Sequence, residues 1–411
     1  MGEGTSVNMV RPAKVENSQR ALHLGVDVPL LLIVLSLVVF GLLMVYSASE
    51  DASVLLTQVF GVAVGGVAAF FLSRIDYHRL RRVIVLGGIV TWILLATVLF
   101  IGDTRNNAVR TLLGGSIQPS ELAKPVLVIY LAFWLSSKKE KLSQISFGVI
   151  PMAVIIGLTV VFVVLQPDYS AAITLIILGV LLFFLAGGKL HQTIIVIAVI
   201  LFMGFLAINL HISSTITNRI NEFDAGLKDP LNGPEQVLRC LEAIVKGQFF
   251  GVGIGKSDVK FTLPSSSRDT IFVVVVQETG SIFASLIILA YMAICWRGSV
   301  IAQRAPDPLG GLLAMGLTTW ITFEALINIG MTVGLVPVAG NALPFISAGG
   351  SNLACSLASI GIVMSVARAS VIPPANNNDK DGRSFSAIVN LRRGDGGRSV
   401  SRSRRSTSSR Q

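Results

Sequence analysis

Charge is scarce in this 411-residue chain: Asp, Glu, Lys and Arg make up only 14% of it, against 52% hydrophobic residues. A water-soluble fold of this size could not bury that much apolar surface, so that class is excluded and a bilayer becomes the expected solvent. Cysteine is nearly absent. Cys240, Cys295 and Cys355 show no metal-ligand spacing and only Cys240 falls on the oxidising side, so no intramolecular disulfide is expected. There is no small-residue cleavage site after the first apolar stretch, which is therefore expected to stay as a helix. No strand–turn–helix unit surrounds Gly247, Gly251, Gly253 and Gly255, which argues against a nucleotide fingerprint. Nor is a dedicated metal cage visible.

What is present is a series of ten apolar stretches of about 17–25 residues, each long enough to span as a helix. They run near 28–47, 54–73, 83–102, 120–136, 147–165, 169–187, 191–210, 270–295, 309–333 and 352–370. Backbone polar groups in hydrocarbon must be satisfied within their own segment, so the fold class is an all-α polytopic membrane protein with ten transmembrane helices. Arg74, Arg79, Arg81 and Arg82, then Lys138, Lys139 and Lys141, then Lys189, then Arg297 and Arg304 occupy alternate loops. Those loops share a side with both termini, which the positive-inside rule makes cytoplasmic. The other side receives one long extracytoplasmic loop, 211–269, between helices 7 and 8. The domain plan is a cytoplasmic segment 1–27, a membrane domain 28–370 and a tail 371–411. After Pro373 the tail has one Lys and eight Arg against three Asp, a net of +6. It lacks the apolar residues that offset ordering entropy and is expected to be disordered. Topological anchoring with attraction to anionic lipid headgroups is the expected role of its charge, ahead of a binding segment for a cytoplasmic partner.

Several charges stand where charge is expensive. Glu121 and Lys124 open the fourth span three residues apart, on nearly the same helix face, and are expected to pair or to turn Lys124 toward a diphosphate. Glu324, deep in the ninth span, is expected to be protonated or hydrogen-bonded to a polar partner. Asp269 ends the long loop at the mouth of the eighth span, where a carboxylate meets both water and headgroups. Catalysis and a helix N-cap are both open readings for it. Glu278 lies roughly 13 Å deeper and on the opposite face of an ideal helix, so it is expected to pair with a cation inside the bundle. In the loop, Val237, Leu238, Leu241, Ile244 and Val245 repeat as an amphipathic helix starting near Pro234. The glycines that follow it read equally as a flexible re-entry or as backbone amides presented to an anion.

Five blocks in order carry a family resemblance. They are Gln118-Pro119-Ser120-Glu121 with Lys124; Gln166-Pro167-Asp168; Gly233-Pro234 with Gln236; the glycines through Leu263-Pro264 to Asp269 and Glu278; and Asn328-Ile329-Gly330 with Pro337 and Leu343-Pro344-Phe345-Ile346-Ser347-Ala348-Gly349-Gly350-Ser351. Over about 25–370 the chain resembles the SEDS family of bacterial cell-wall proteins, the FtsW and RodA type. Arg219, Phe223, Ser257 and Lys260 lean toward the division branch. Arg268, Gln277, Ser170 and Glu324 depart from the family pattern.

The resemblance implies a peptidoglycan glycosyltransferase that polymerises lipid II at the outer face of the bacterial cytoplasmic membrane, at the division septum. It makes Asp269 the catalytic residue. It assigns substrate binding to Arg110, Gln118, Glu121, Lys124, Lys260, Ser347, Gly349, Gly350 and Ser351, and a structural or cavity role to Asp168, Glu278 and Asn328. It also implies a class B penicillin-binding protein and other divisome proteins as partners. A divalent cation, Mg or Mn, would be shared with the substrate diphosphate, and no nucleotide or organic cofactor is implied. Two rivals stay open: a flippase for the same lipid, depending on Glu278 and Glu324, and a non-catalytic scaffold for a transpeptidase.

Overall fold

The computed structural model describes residues 26–370 except 50, 102, 106–107, 112–117, 139–141, 143, 145–147, 210–213, 229–233, 264–265 and 339. Side chains at 103–111, 200–209, 214–216 and 227 also lie outside the description. Both predicted termini, 1–25 and 371–411, fall there, as does the side chain of Arg110.

Each apolar stretch of the sequence is helical, the eighth with a break. The order is α1 (Val28–Ala48), α2 (Ala52–Arg74), α3 (Arg81–Ile101), α4 (Pro119–Ser137), α5 (Val149–Val164), α6 (Tyr169–Leu185) and α7 (Leu190–Asn209). The segment between α7 and α11 then forms α8 (Ser214–Lys228), α9 (Glu235–Gly247) and the single turn α10 (Val259–Thr262). The chain closes with α11 (Ile271–Arg304), α12 (Pro308–Thr332) and α13 (Gly350–Ala369). Six helices are long and apolar enough to cross a membrane: α1, α2, α3 with the preceding turn, α11, α12 and α13. α5, α6 and the described part of α7 are shorter apolar helices. α4 carries Glu121 and Lys124 and is among the most buried helices of the bundle.

Two features depart from expectation. Between α3 and α4 an antiparallel hairpin, β1 (Asp103–Arg105) with β2 (Ala108–Thr111), interrupts the all-helical pattern. The β-branched Thr104, Val109 and Thr111 favour extended backbone there. The long loop 211–269 also contains α8, in which Ile216, Ile220, Phe223 and Leu227 recur at helical spacing.

The helix ends tie the bundle together. At one end Asp27 caps α1 through Leu30 N–H and pairs with Arg297 of α11. At the same end Arg368 of α13 donates to the Arg74 carbonyl of α2 at 2.6 Å. The seam between α2 and α13 is closed by small residues, which let helix backbones approach. A Cβ on Gly61 would sit 2.8 Å from the Cα of Gly350, and one on Gly361 would sit 2.5 Å from the Ala69 carbonyl oxygen.

The eighth apolar stretch is two half-helices, not one. Gly280 has φ 83° and ψ 169°, breaking α11 after Thr279. The glycine-rich segment fills the break. Val252 N–H donates to Gln277 O at 2.9 Å and Gly253 N–H to Glu278 O at 3.0 Å, while Ser281 N–H donates back to Gln248 O at 2.9 Å. A Cβ at Gly251 would lie 2.1 Å from the Glu278 carbonyl oxygen. The glycines are therefore neither a slack loop nor an anion cradle: the amides of Val252 and Gly253 satisfy carbonyls that the kink releases.

Candidate functional site

Beyond the hairpin, at the end where α2 and α4 begin, a cavity of about 210 Å³ opens. Its wall comes from four parts of the chain: Ser53, Val54, Thr57 and Gln58 of α2; Gln118 and Glu121 at the start of α4; Arg268 and Asp269; and Gly340, Ala342 and Ala348–Asn352. The predicted site residues Asp269, Gln118, Glu121, Gly349, Gly350 and Ser351 therefore meet in one cleft.

Asp269 does not hold the cap position of a helix. α11 starts at Ile271 with Thr270 in the cap position, and that cap makes no side-chain hydrogen bond. Asp269 instead belongs to a turn whose carbonyls are gripped in sequence. Ser267 O accepts from Ala348 N–H at 2.8 Å, and Arg268 O accepts from the Ser347 hydroxyl at 2.7 Å. Asp269 O accepts from Asn328 Nδ2 at 2.8 Å, and the same amide donates to Asn341 O at 2.6 Å. Ser347 thus lies behind the cleft and fixes the backbone that carries Asp269. Asn328 does the same from α12.

The 343–349 segment is itself clamped. Its Phe345 has φ 68°, a conformation unusual for a non-glycine residue. Ser347 Oγ accepts from Leu343 N–H at 2.7 Å, and Tyr291 donates to the Pro344 carbonyl. Gln58 of α2 closes the other side: its Nε2 donates to Ser347 O at 2.9 Å and its Oε1 accepts from Gly349 N–H at 3.0 Å. Gln58, Tyr291 and Asn341 were not singled out from the sequence. A lone glutamine inside an apolar span was the available signal for Gln58.

The charges on α4 are built into the wall. Lys124 is 1% exposed and bridges Glu121, at 2.8 Å, to Glu324 of α12, which is 0% exposed. Glu121 reaches the cleft while its other oxygen accepts from Asn352 Nδ2 at 2.5 Å. The predicted i, i+3 pair is present, and Lys124 is turned into the bundle rather than lining the cleft. Beside it, Asp168 caps α6 and accepts from Ser120 at 2.9 Å and Gln118 Nε2 at 3.2 Å, holding the start of α4 in place.

Two predicted residues lie elsewhere. Lys260 donates to Ser47 O at 3.2 Å and Gly255 O at 3.0 Å, stapling the glycine segment to the end of α1. Among the described residues Glu278 meets no cation: both its carboxylate oxygens are 2.7 Å from the Ser47 hydroxyl. The kink explains this correction, because it brings α1, α11 and the glycine segment to one point. Arg110 is in β2, but its side chain lies outside the described residues. Among the described residues no group of three or more His, Cys, Asp or Glu is placed to hold a metal ion.

Comparison with known proteins places this architecture. The cell cycle protein family of FtsW, RodA and SpoVE matches residues 28–371. Stage V sporulation protein E of Bacillus subtilis (strain 168) is 33% identical over 357 residues, covering 83% of this chain and 97% of that protein. The probable peptidoglycan glycosyltransferase FtsW of Trichlorobacter lovleyi is 34% identical over 367 residues, covering 86% of this chain and 96% of its own. Among solved structures, a chain of a peptidoglycan synthase complex aligns with TM-score 0.73 at 24% identity, over 85% of this chain and 100% of that one. The rod shape determining protein RodA of Thermus thermophilus aligns with TM-score 0.63 at 24% identity, over 86% and 100%. These structural likenesses speak to the fold.

Proposed function

Since the chain belongs to the FtsW, RodA and SpoVE family of cell cycle proteins, we propose that it is a peptidoglycan glycosyltransferase polymerising lipid II during cell division. The observation that carries this reading is the placement of Asp269. It lines a cleft, and the carbonyls of residues 267, 268 and 269 are all held by fixed donors.

In the proposed reaction the 4-hydroxyl of an acceptor sugar attacks the anomeric carbon of a polyprenyl-diphosphate-linked donor. Asp269 takes the hydroxyl proton as general base, a role typically worth about 10²–10⁴-fold. The hydrogen bonds behind it cost no reorganisation during the reaction, because their geometry is already set. Gln118, Gly349, Gly350 and Ser351 line the same cleft and are assigned to the sugars and the diphosphate. Among the described lining residues the charges are Glu121, Asp269 and Arg268, so the wall itself carries more negative than positive charge. An anionic leaving group needs more cation than that. Arg110 on the hairpin beside α4 is the side chain we assign to supply it. A shared Mg or Mn ion is compatible with the donor set, since such ions are held by one or two carboxylates plus substrate phosphates. Asp269 and Glu121 would hold it, and it would add positive charge to the diphosphate.

The proposed topology has ten spanning helices with both termini cytoplasmic and the cleft on the outer side, placing the enzyme in the cytoplasmic membrane at the septum. A class B penicillin-binding protein is the proposed transpeptidase partner, with other divisome proteins around it. The ion pairing of Lys124 with Glu121 and Glu324 favours the enzyme over a translocation path, because these charges are engaged with one another.

The test is polymerisation of purified lipid II by the purified protein with its transpeptidase, comparing wild type with Asp269→Asn. Glycan strands from wild type alone are expected. Strands from both proteins would remove Asp269 from the mechanism. Strands from neither, with both folded and partner-bound, would favour a flippase or a scaffold.

A further inference from the structure

α2 meets the rest of the bundle along one narrow stripe. Its buried residues are Gln58, Gly61 and Gly65, at i, i+3 and i+7 on one helical face, while Leu56, Val59, Phe60 and Phe70 around them are exposed. The partner helix explains two of the three. A Cβ on Gly61 would sit 2.8 Å from the Gly350 Cα, and one on Gly65 would sit 2.7 Å from the Ala354 Cα, so glycine lets the backbones of α2 and α13 close together. Gln58 is about one turn nearer the cleft and faces no helix, because α13 starts only at Gly350. Opposite it lies the irregular chain of residues 347–349.

Irregular backbone in an apolar bundle needs its polar groups satisfied by protein or by water. Gln58, 1% exposed, supplies a donor and an acceptor at once: Nε2 donates to Ser347 O at 2.9 Å and Oε1 accepts from Gly349 N–H at 3.0 Å. These partners also fix which way the amide points, since a flipped amide would set oxygen against oxygen and N–H against N–H. The side chain stands in for a strand neighbour. The other edge of the same three residues is turned to the base. Ser347 Oγ donates to Arg268 O at 2.7 Å, and Ala348 N–H donates to Ser267 O at 2.8 Å. Residues 347–349 are therefore held by Gln58 on one edge and hold the turn that carries Asp269 with the other.

We propose that Gln58 is a positioning residue for the base: by fixing residues 347–349 from α2, it sets where Asp269 stands in the cleft. It acts through Ser347 and Ala348 and not on the reacting atoms. A misplacement of about 1 Å caused by a change away from the chemistry can cost about 10²-fold in rate, so the loss of these two hydrogen bonds is expected to fall on kcat and not on KM. The kinetic consequence rests on the transferase reading of Asp269. The mechanical one, that Gln58 secures the contact between residues 347–349 and the turn at 267–269, rests on the hydrogen bonds alone.

The experiment compares wild type with Gln58→Met, which keeps the length of the side chain and loses both hydrogen bonds, in two readouts. The first is steady-state polymerisation of purified lipid II by the full-length protein with its transpeptidase. kcat is expected to fall about tenfold or more, with KM changed less than about twofold. A wild-type kcat in the folded variant would overturn the proposal, and a raised KM beside it would mark a substrate contact instead. In a Ser347→Ala background Gln58→Met is expected to cost less than it does in wild type, because the two residues act along one chain of hydrogen bonds; equal losses in both backgrounds would overturn that route. The second readout is residue-resolved hydrogen exchange of the protein in detergent, which needs no substrate. Gly349 N–H, which loses its acceptor, and Ala348 N–H, whose acceptor is Ser267 O, are both expected to exchange about tenfold or more faster. Unchanged protection of Ala348 would show that the effect stops at Gln58 and would overturn the proposal. Gln58→Asn, one methylene too short to span both partners, takes the place of Gln58→Met should that variant not fold, and is expected to move both readouts the same way. No glycan from wild type would sink the transferase reading, and the exchange readout would still decide whether Gln58 secures the contact.

Discussion

Replacing Lys124 by Met should be among the most damaging single changes in the bundle, and the reason is a count of buried charge. Lys124 is 1% exposed, Glu121 5% and Glu324 0%, so one ammonium serves two carboxylates away from water. Removing the cation leaves two carboxylates facing each other with, among the described residues, Asn352 as the donor to Glu121. Breaking a buried pair in this way typically costs about 3–5 kcal/mol. At about 2 °C per kcal/mol for a large domain, that is a fall in melting temperature of roughly 6–10 °C. Glu324→Gln is the matched control. It keeps the side-chain volume and an oxygen for Lys124 while leaving one ammonium with one carboxylate, so its cost should stay within about 1 kcal/mol. Replacing the whole triad, as Glu121→Gln with Lys124→Met and Glu324→Gln, should recover much of the loss, because no unpaired charge remains. Scanning fluorimetry of the detergent-solubilised variants reads all three. A wild-type melting point for Lys124→Met, or a Glu324→Gln variant less stable than Lys124→Met, would refute the electrostatic account.

Gly280→Ala should destabilise the protein by about 1–3 kcal/mol or more, since φ is 83° there and the new Cβ would lie 2.2 Å from the Phe249 carbonyl oxygen; limited proteolysis should then cut near 248–253 at lower temperature than in wild type. Asn328→Ala removes the donor to both Asp269 O and Asn341 O and should lower kcat for lipid II polymerisation about tenfold or more with KM little changed, at about 1–3 kcal/mol for each buried acceptor left unpaired. Ser347→Ala should act in the same direction through Arg268 O, and Ser347→Thr should restore part of the rate by keeping the hydroxyl, whereas equal losses in both variants would point to packing instead.

Much of this organisation is legible in the sequence because hydropathy records the solvent. Each of the ten apolar stretches is helical, the eighth as two half-helices, and the period-3.6 pattern after Pro234 finds α9, Glu235–Gly247. The i, i+3 spacing of Glu121 and Lys124 foretells their pairing, since it is a local property of a helix. What is not legible depends on residues far apart in the chain. Lys124 and Glu324 are 200 positions apart, and Gln58 and Ser347 are 289 apart. No periodicity relates them, so the direction in which Lys124 turns could not be read. Glu278 was assigned a buried cation on the assumption of a continuous helix, and the break at Gly280 gives it Ser47 instead.

The same break explains why irregular backbone can sit inside an apolar bundle. Non-helical chain at membrane depth survives only where its polar groups are satisfied by protein or by a water-filled cavity. Here two irregular segments meet that condition by satisfying other parts of the fold. The glycine run answers the carbonyls freed in α11, and residues 341–349 answer those of the turn before it. Both meet the half-helix Ile271–Thr279, one near its end and one just ahead of its start. Asp269 is two residues before that half-helix, so its backbone is held by neighbours on α12 and in the 341–349 segment instead of by a continuous helix of its own. A carboxylate mounted this way sits at the cleft wall, with Thr270 in the cap position of the helix that follows. A backbone fixed from outside its own helix is what the proposed general-base role asks for, because the geometry is set before the reaction begins.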